Sequence, residues 1–324
     1  MDPVCPVDSH GLVEKMNRQK VILLGATGQI GVFTIPRLLA AGFEVIAVSR
    51  KPRPEWYPGF PGVHWLTADS LTDSAMSDAS MLVSAGPVTV ASNLIDRCQH
   101  IDRAVIFSTS SVFSKLESHD RKEKRQMQQI LMDEAVLSNN CEAHGITLSL
   151  FRPTLIYGCG MDGNVSWLAK WIRKFGFMPI AGDAEGLRQP VHADDLAQAA
   201  VATLTSESPL ALDVPLCGGS TLTFREMVEA IFRGLGKPVR IISVPRRLFT
   251  LVTYLARLVP KLRGVRPEMI RREGLDLVFD DSAPREYLDY RPRPFVPGPA
   301  DFRRPDSKQL KRLAMLDKHQ EMIE

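Results

Sequence analysis

The sequence predicts an α/β fold: a doubly wound parallel sheet with a smaller C-terminal lobe. Short apolar segments alternate with helix-sized segments over about the first half of the chain, and a glycine-rich turn joins the first apolar segment to the first helix. Strands that are apolar throughout are typical of parallel sheets covered by helices on both faces. Alternation of such strands with helices produces the Rossmann-type, doubly wound arrangement.

The predicted strands are short and apolar, and helix-sized segments separate them. Strands are expected at residues 21–24, 42–48, 63–66, 81–83, 104–107 and 147–151. Their length and their branched and aromatic residues are those of buried strands. A long polar helix is predicted from about 121 to 143, and an amphipathic helix at 223–235.

Composition shifts along the chain divide it into four parts. A polar lead at 1–20 precedes a Rossmann core at 21–157. A mixed region at 158–300 contributes core elements and a substrate lobe, and a charged tail follows at 301–324. The mixed region is assigned to the lobe because glycine and proline interrupt its pattern.

Charge and cysteine content exclude several classes of protein. The 324 residues carry 40 Lys+Arg against 37 Asp+Glu, a net charge of +3, which argues against nucleic-acid binding. Five cysteines without a CxxC pair predict neither a disulfide framework nor a zinc site. The sequence also has no run of 18 uncharged apolar residues. We therefore expect a cytoplasmic protein.

The first strand–helix turn predicts a dinucleotide site. Glycines at the turn allow a tight bend and let backbone N–H groups approach a pyrophosphate at the N-terminus of the helix. The residues expected to contact the cofactor here are Gly25, Thr27, Gly28, Gln29, Ile30 and Gly31. The alternative is a structural turn with no ligand.

The end of the second strand bears on the choice of cofactor. NAD-binding Rossmann domains place a carboxylate there to accept from the ribose 2′-OH. This chain instead has Arg50 and Lys51, which would suit a 2′-phosphate. NADP(H) is therefore the preferred cofactor and NAD(H) the alternative, unless both cations are simply solvated.

Four segments resemble the extended short-chain dehydrogenase/reductase family of NAD(P)-dependent epimerases and dehydratases. They are residues 25–31, 107–113, 151–158 and 189–196, in that order. The resemblance implies a cofactor across the sheet edge and a lobe closing over a nucleotide-sugar-like substrate. It also implies that Thr109 holds the substrate. The remaining cofactor contacts that it implies are Asp69 and Ser70 by the adenine, and Ala85, Gly86 and Pro87 by the ribose and phosphates.

The chain departs from the family where the catalytic Tyr and Lys are expected. No tyrosine lies between Tyr57 and Tyr157, and the equivalent positions are Gln126 and Ile130. Neither of these side chains titrates.

Other groups would then have to exchange the proton. The first candidate is Tyr157, for which packing in the core is at least as good an interpretation. The others are His119, Asp120 and Glu123, with a solvated polar loop as the alternative for His119 and Asp120.

These observations leave two hypotheses for function. The first is an NADP(H)-binding oxidoreductase or epimerase acting on a nucleotide- or lipid-linked sugar. The second is a non-catalytic NADP(H)-binding accessory subunit or regulator. The group of His192, Asp194 and Asp195 is expected to tie the two lobes together and not to bind a metal.

One stretch is locally basic. Residues 246–272 contain eight cations and one acid around an apolar helix predicted at 248–259. This segment could meet a membrane surface, a diphosphate substrate or a partner subunit. The alternative is an ordinary helix of the lobe.

Overall fold

The computed structural model describes residues 19–98, 100–116, 120–245 and 274–315. The strands in this part of the chain are β1 (Lys20–Leu24), β2 (Glu44–Ser49), β3 (Val63–Thr67), β4 (Ala79–Ser84), β5 (Arg103–Phe107), β6 (Thr147–Pro153), β7 (Ile156–Tyr157), β8 (Met178–Ala181), β9 (Leu187–Arg188), β10 (Val191–His192), β11 (Asp213–Leu216), β12 (Leu222–Thr223) and β13 (Ile241–Val244).

The helices over the same ranges are α1 (Gly31–Ala40), α2 (Asp73–Met76), α3 (Val88–Ile95), α4 (Ser111–Lys115), α5 (Arg121–Ala143), α6 (Val165–Phe175), α7 (Ala193–Thr205), α8 (Phe224–Gly234), α9 (Ser282–Leu288) and α10 (Ser307–Leu313). A short 3₁₀ helix spans Ala68–Ser70.

Seven strands form one parallel sheet in the order β11-β6-β5-β4-β1-β2-β3. Every neighbouring pair is parallel. The chain leaves β1 towards β2 on one side and later returns to β4 on the other, so the topological switch point lies between β1 and β4. In open α/β sheets ligands bind at the carboxyl edge beside this point. The predicted doubly wound α/β fold is confirmed.

Two apolar layers cover the sheet. Val21 and Leu23 of β1 face a cluster that includes α1 and α7, whereas Ile22 and Leu24 face a cluster that includes α3 and α5. Successive strand residues point to opposite faces, so an apolar strand fills both layers. Burying each such side chain contributes about 1.5–3 kcal/mol to stability.

The lobe is built on α6, α8 and three small two-stranded sheets. The predicted helix at 223–235 is α8, and it begins with a capping box between Thr223 and Glu226. Each of these two side chains accepts from the other's backbone N–H, which satisfies donors that a helix start leaves free. The predicted helix at 248–259 and the basic stretch at 246–272 lie outside the described residues.

An ionic cluster at the start of α7 joins α1 to the C-terminal segment. Arg37 of α1 donates twice to Asp194, at 2.9 Å each, and Arg293 donates to both Asp194 and Asp195 at 2.7 Å. Burial by itself would raise the pKa of Asp194, but the hydrogen bonds and charges of the two guanidinium groups outweigh it, and the pKa is lowered. The cluster therefore binds segments that are far apart in sequence.

Candidate functional site

The glycine turn between β1 and α1 is packed tightly against the end of β4. Gly25 has a φ of +75°, and a Cβ there would lie 2.8 Å from the Ala85 carbonyl carbon. A Cβ on Gly31 would overlap the carbonyl oxygen of Gly25. Real Cβ atoms do not approach backbone so closely, so both positions require glycine. The Gly28 N–H closes the turn by donating to Gly25 O at 2.8 Å.

The turn leaves polar groups available to a ligand. Ile30 is the N-cap of α1 and has no side-chain capping bond. The N–H groups of Val32 and Phe33 donate to Gly28 O and Ile30 O, so the N–H groups that could meet an anion are those of the turn just before them. Within the described part of the chain, the Gln29 Oε1 atom is buried without a hydrogen-bond partner. Together with the glycine cradle, this orphaned acceptor fits a ligand that carries both phosphate and N–H or O–H groups.

The structure brings the predicted Ala85–Pro87 segment onto this turn. Ala85 N donates to Leu24 O at 3.0 Å, and Gly86 N donates to Ser84 Oγ at 3.4 Å. Pro87 is exposed and precedes α3. Two segments about sixty residues apart in sequence are thus in contact at the switch point between β1 and β4.

Arg50 and Lys51 lie next to the glycine turn, on the side of β2. Both are exposed at the carboxyl end of β2, whose Val48 O accepts from Ala26 N at 3.1 Å. Ser49 Oγ donates to Lys51 O and bends the chain there. Among the residues with described structure, neither cation forms a salt bridge. The two charges are therefore free to meet an anionic group bound beside the turn.

Asp69 and Ser70 follow β3 in the short 3₁₀ helix at the same edge of the sheet. Both residues are exposed. Ser70 Oγ accepts from Thr67 N at 2.9 Å and contacts the Thr67 hydroxyl at 2.8 Å. Ser70 therefore has a structural role in this turn, whereas the Asp69 carboxylate faces solvent.

Thr109 lies beyond the carboxyl end of β5, where the chain enters α4. The residues on each side of it bond to β6: Ser108 N donates to Phe151 O at 2.8 Å, and Ser110 N to Pro153 O at 3.1 Å. Thr109 Oγ1 accepts from Ser111 N at 3.1 Å. The half-buried hydroxyl keeps its own proton for donation, so it can orient a substrate oxygen.

Tyr157 occupies the core of the lobe. Its side chain is 1% exposed, and its ring packs edge-on against His192 at 5.1 Å and Phe295 at 4.8 Å between centroids. Burial raises the pKa of Tyr157 far above its ordinary value, and the nearby Asp301 and Asp195 carboxylates add to this effect. The surroundings match a packed core tyrosine more closely than a proton donor.

Helix α5 carries the two positions where the sequence analysis expects the Tyr and Lys of the family. Gln126 is exposed and Ile130 is half-buried on α5. Asp120 caps this helix by accepting from Lys122 N at 2.8 Å and Glu123 N at 3.4 Å, so its carboxylate has a structural role. His119 lies outside the described residues.

A buried ionic cluster beneath Thr109 was not predicted. Glu134, one helical turn beyond Ile130 on α5, is 4% exposed. Its carboxylate accepts from Ser108 Oγ and, at 2.7 Å, from Arg152 Nη2. Arg152 also pairs with Asp213 on β11. The cluster ties β5, β6, β11 and α5 together at the turn that carries Thr109. The i, i+4 spacing puts positions 126, 130 and 134 on one face of α5, but it does not identify Arg152 as the partner of Glu134.

His192, Asp194 and Asp195 approach one another as metal ligands would. One ligand atom from each lies within 4.8 Å of the others. Both carboxylates are already bound by arginines, and His192 Nδ1 accepts from Asp194 N at 3.1 Å. The positive charges next to these carboxylates are the guanidinium groups of Arg37 and Arg293.

Residues 86–213 match the NAD dependent epimerase/dehydratase family. This match confirms the family resemblance that the sequence predicted.

Relatives of similar sequence include proteins of known and unknown activity. The chain is 25% identical over 200 residues to an uncharacterised protein of Sinorhizobium fredii, covering 60% of this chain and 50% of that protein. It is 22% identical over 247 residues to 2'-dehydrokanamycin reductase of Streptomyces kanamyceticus, covering 70% and 69%. The chain thus spans about half the length of the Sinorhizobium relative.

Solved structures share the fold. UDP-glucuronic acid 4-epimerase from Bacillus cereus in complex with NAD has a TM-score of 0.65 at 16% identity, over 91% of this chain and 100% of that one. UDP-N-acetylglucosamine 4-epimerase from Methanobrevibacter ruminantium, in complex with UDP-N-acetylmuramic acid, also has a TM-score of 0.65, at 15% identity, over 94% and 100%. None of the helices in the described ranges is long and apolar enough to span a bilayer.

Proposed function

We propose that this protein binds NADP(H) at the carboxyl edge of its sheet and acts as an oxidoreductase or epimerase on a nucleotide- or lipid-linked sugar. The observation that carries the proposal is the glycine cradle. The N-terminus of α1 has no side-chain cap there, and the buried Gln29 amide oxygen has no hydrogen-bond partner. Two exposed cations, Arg50 and Lys51, lie at the end of β2 beside the turn. Solved proteins of this fold bind NAD and UDP-sugars.

In this proposal each part of the cradle has one ligand group to hold. The backbone N–H groups of Gln29, Ile30 and Gly31 receive the pyrophosphate, because they lie at the start of α1 and the Gly28 N–H is already used within the turn. Arg50 and Lys51 receive the 2′-phosphate, and Asp69 lies towards the adenine. Bound NADPH would donate the hydride that the reaction transfers, and bound NADP+ would accept it.

Thr109 is the residue proposed to hold the substrate. The Ser108–Glu134–Arg152 cluster fixes the turn from below, so that the hydroxyl stays in place without help from a tyrosine. The burial of Tyr157 supports a packing role for it over proton exchange. The unpaired, buried cysteines of the described chain suit a reducing compartment, which supports a cytoplasmic location.

One observation favours the second function, a non-catalytic NADP(H)-binding subunit or regulator. Gln126 and Ile130 stand where the family has its Tyr and Lys, and neither exchanges protons. Without such a group the hydride transfer would lack its accompanying proton.

The two functions differ in what happens to bound cofactor. Purified full-length chain would be loaded with NADP+ or NADPH and offered a panel of UDP-sugars, while nicotinamide absorbance and fluorescence are followed. A change of redox state that depends on the sugar, or interconversion of the sugars, supports the enzyme. Bound cofactor that stays inert with every sugar supports the subunit. Absence of binding for either dinucleotide contradicts both.

A further inference from the structure

One surface of the lobe is strongly basic. It consists of the second half of α6 and the segment 237–244 that ends in β13. These two pieces lie side by side, since β13 pairs in parallel with β8, Met178 N donates to Arg240 O at 2.9 Å and Lys237 Nζ donates to Arg173 O at 3.5 Å. We call it the α6–β13 surface.

Cations outnumber acids in the two stretches of sequence that form and flank the α6–β13 surface. The sequence has no acid between 163 and 182, or between 230 and 245. The cations in these two stretches are Lys170, Arg173, Lys174, Arg233, Lys237 and Arg240. Only Arg233 forms a salt bridge within the described ranges, with Glu229 at 3.6 Å. The chain as a whole is nearly neutral, so this concentration is local.

Exposed apolar side chains lie among these cations. Phe175 is 42% exposed, Val239 is 45% exposed and Ile242 is 50% exposed. Phe175 continues a row of aromatic rings along α6, with centroids 5.6 Å apart from Trp167 to Trp171 and 4.4 Å from Trp171 to Phe175. Lys174 Nζ lies 4.9 Å from the centre of the Phe175 ring. Exposed apolar side chains that are grouped in this way are typical of an interaction surface.

We propose that the α6–β13 surface binds the face of an anionic lipid bilayer. Cations attract acidic headgroups, while partly exposed aromatic and branched side chains enter the boundary between headgroups and acyl chains. Phe175, at the end of α6, is an exposed aromatic residue of the kind found at that boundary. A soluble polyanion would use the cations alone and would leave Phe175 and Ile242 in water.

The test is co-sedimentation of the full chain with vesicles of phosphatidylcholine alone, or of phosphatidylcholine mixed with phosphatidylserine, at low and high salt. We expect binding to the acidic vesicles only, weaker at high salt. Replacing Lys170, Lys174 and Arg240 together by Gln should lower the partition coefficient by about fivefold per cation, roughly a hundredfold in all. The matched control replaces Lys308, Lys311 and Arg312 on α10, which packs on the sheet domain, and should bind like the wild type.

A second variant separates the bilayer from a soluble polyanion. Phe175→Ser should weaken binding to acidic vesicles while leaving retention on heparin unchanged, whereas Val136→Ser, at an exposed apolar site on α5, should change neither. Equal binding to neutral and acidic vesicles would overturn the proposal. So would an equal loss in the α10 control, or indifference of vesicle binding to Phe175→Ser.

Discussion

The two halves of the sheet edge differ in how closely they keep the pattern of the family. At β1, β2 and β4, which we call the cofactor half, the backbone around the glycine turn leaves no room for a Cβ at Gly25 or Gly31. At β5, β6 and α5, which we call the Thr109 half, hydrogen bonds to β6 hold the turn that carries Thr109, and the positions where the sequence analysis expects a Tyr–Lys pair are Gln126 and Ile130. Cofactor binding and proton exchange can therefore be tested separately in this chain.

The Thr109 half contains a buried ion pair between Glu134 and Arg152. Arg152→Met should reduce the free energy of unfolding by about 3–5 kcal/mol, because it leaves the buried Glu134 carboxylate without its counter-charge. Urea unfolding would measure the loss. Arg97→Met removes an exposed pair with Asp73 and should cost less than about 1 kcal/mol. Equal losses in the two variants would show that the cluster does not stabilise the turn that carries Thr109.

In the cofactor half, one added methyl group at Gly25 is expected to weaken NADPH binding. Gly25→Ala should weaken NADPH binding by about a hundredfold or more, since the Cβ meets the Ala85 backbone and the positive φ strains the turn. Gly42→Ala is the matched control: its φ of +84° gives similar strain, but nothing lies within 4 Å of the added Cβ. Calorimetric titration should show normal NADPH binding for Gly42→Ala. If both variants bind normally, the cradle is not the cofactor site.

If the protein turns over a sugar, two substitutions test the roles of Thr109 and Tyr157. Thr109→Val removes the hydroxyl at nearly constant volume and should lower turnover by roughly a hundredfold with unchanged NADPH affinity. Tyr157→Phe should leave turnover within a few-fold of the wild type, because the ring packs in the core. Steady-state kinetics with the active sugar would measure both. The reverse pattern would make Tyr157 the proton-exchanging group.

The ionic cluster between α1 and α7 predicts a loss of stability in acid. The pKa of Asp194 is lowered in the folded protein from its ordinary value of 3.8. Its contribution is therefore present above that value and is lost as the pH falls below it towards the folded pKa. Unfolding followed across this range should show a steeper acid loss for the wild type than for Asp194→Asn. Parallel pH profiles would contradict the assignment.

The strands and the glycine turn were predictable from sequence because their signals are local. Apolar runs and glycine spacing act within a few residues, and the six strands predicted from them all lie in the seven-stranded sheet, whereas its seventh strand, β11, was not predicted. The Glu134–Arg152 pair was not predictable in the same way, since the partners lie 18 residues apart on different elements and meet only through the fold. The burial of Tyr157 has the same origin, because the rings that surround it come from β10 and from Phe295 near the end of the chain.

We propose that the glycine turn and the end of β2 bind NADP(H) in preference to NAD(H). Calorimetric titration of NADPH and NADH into the purified full chain tests it most directly. We predict tighter binding of NADPH, and a preference that falls by about ten- to a hundredfold in Arg50→Glu, the scale of a lost charge-assisted hydrogen bond. Equal affinity of the wild type for the two cofactors, or a preference unchanged in Arg50→Glu, would contradict it.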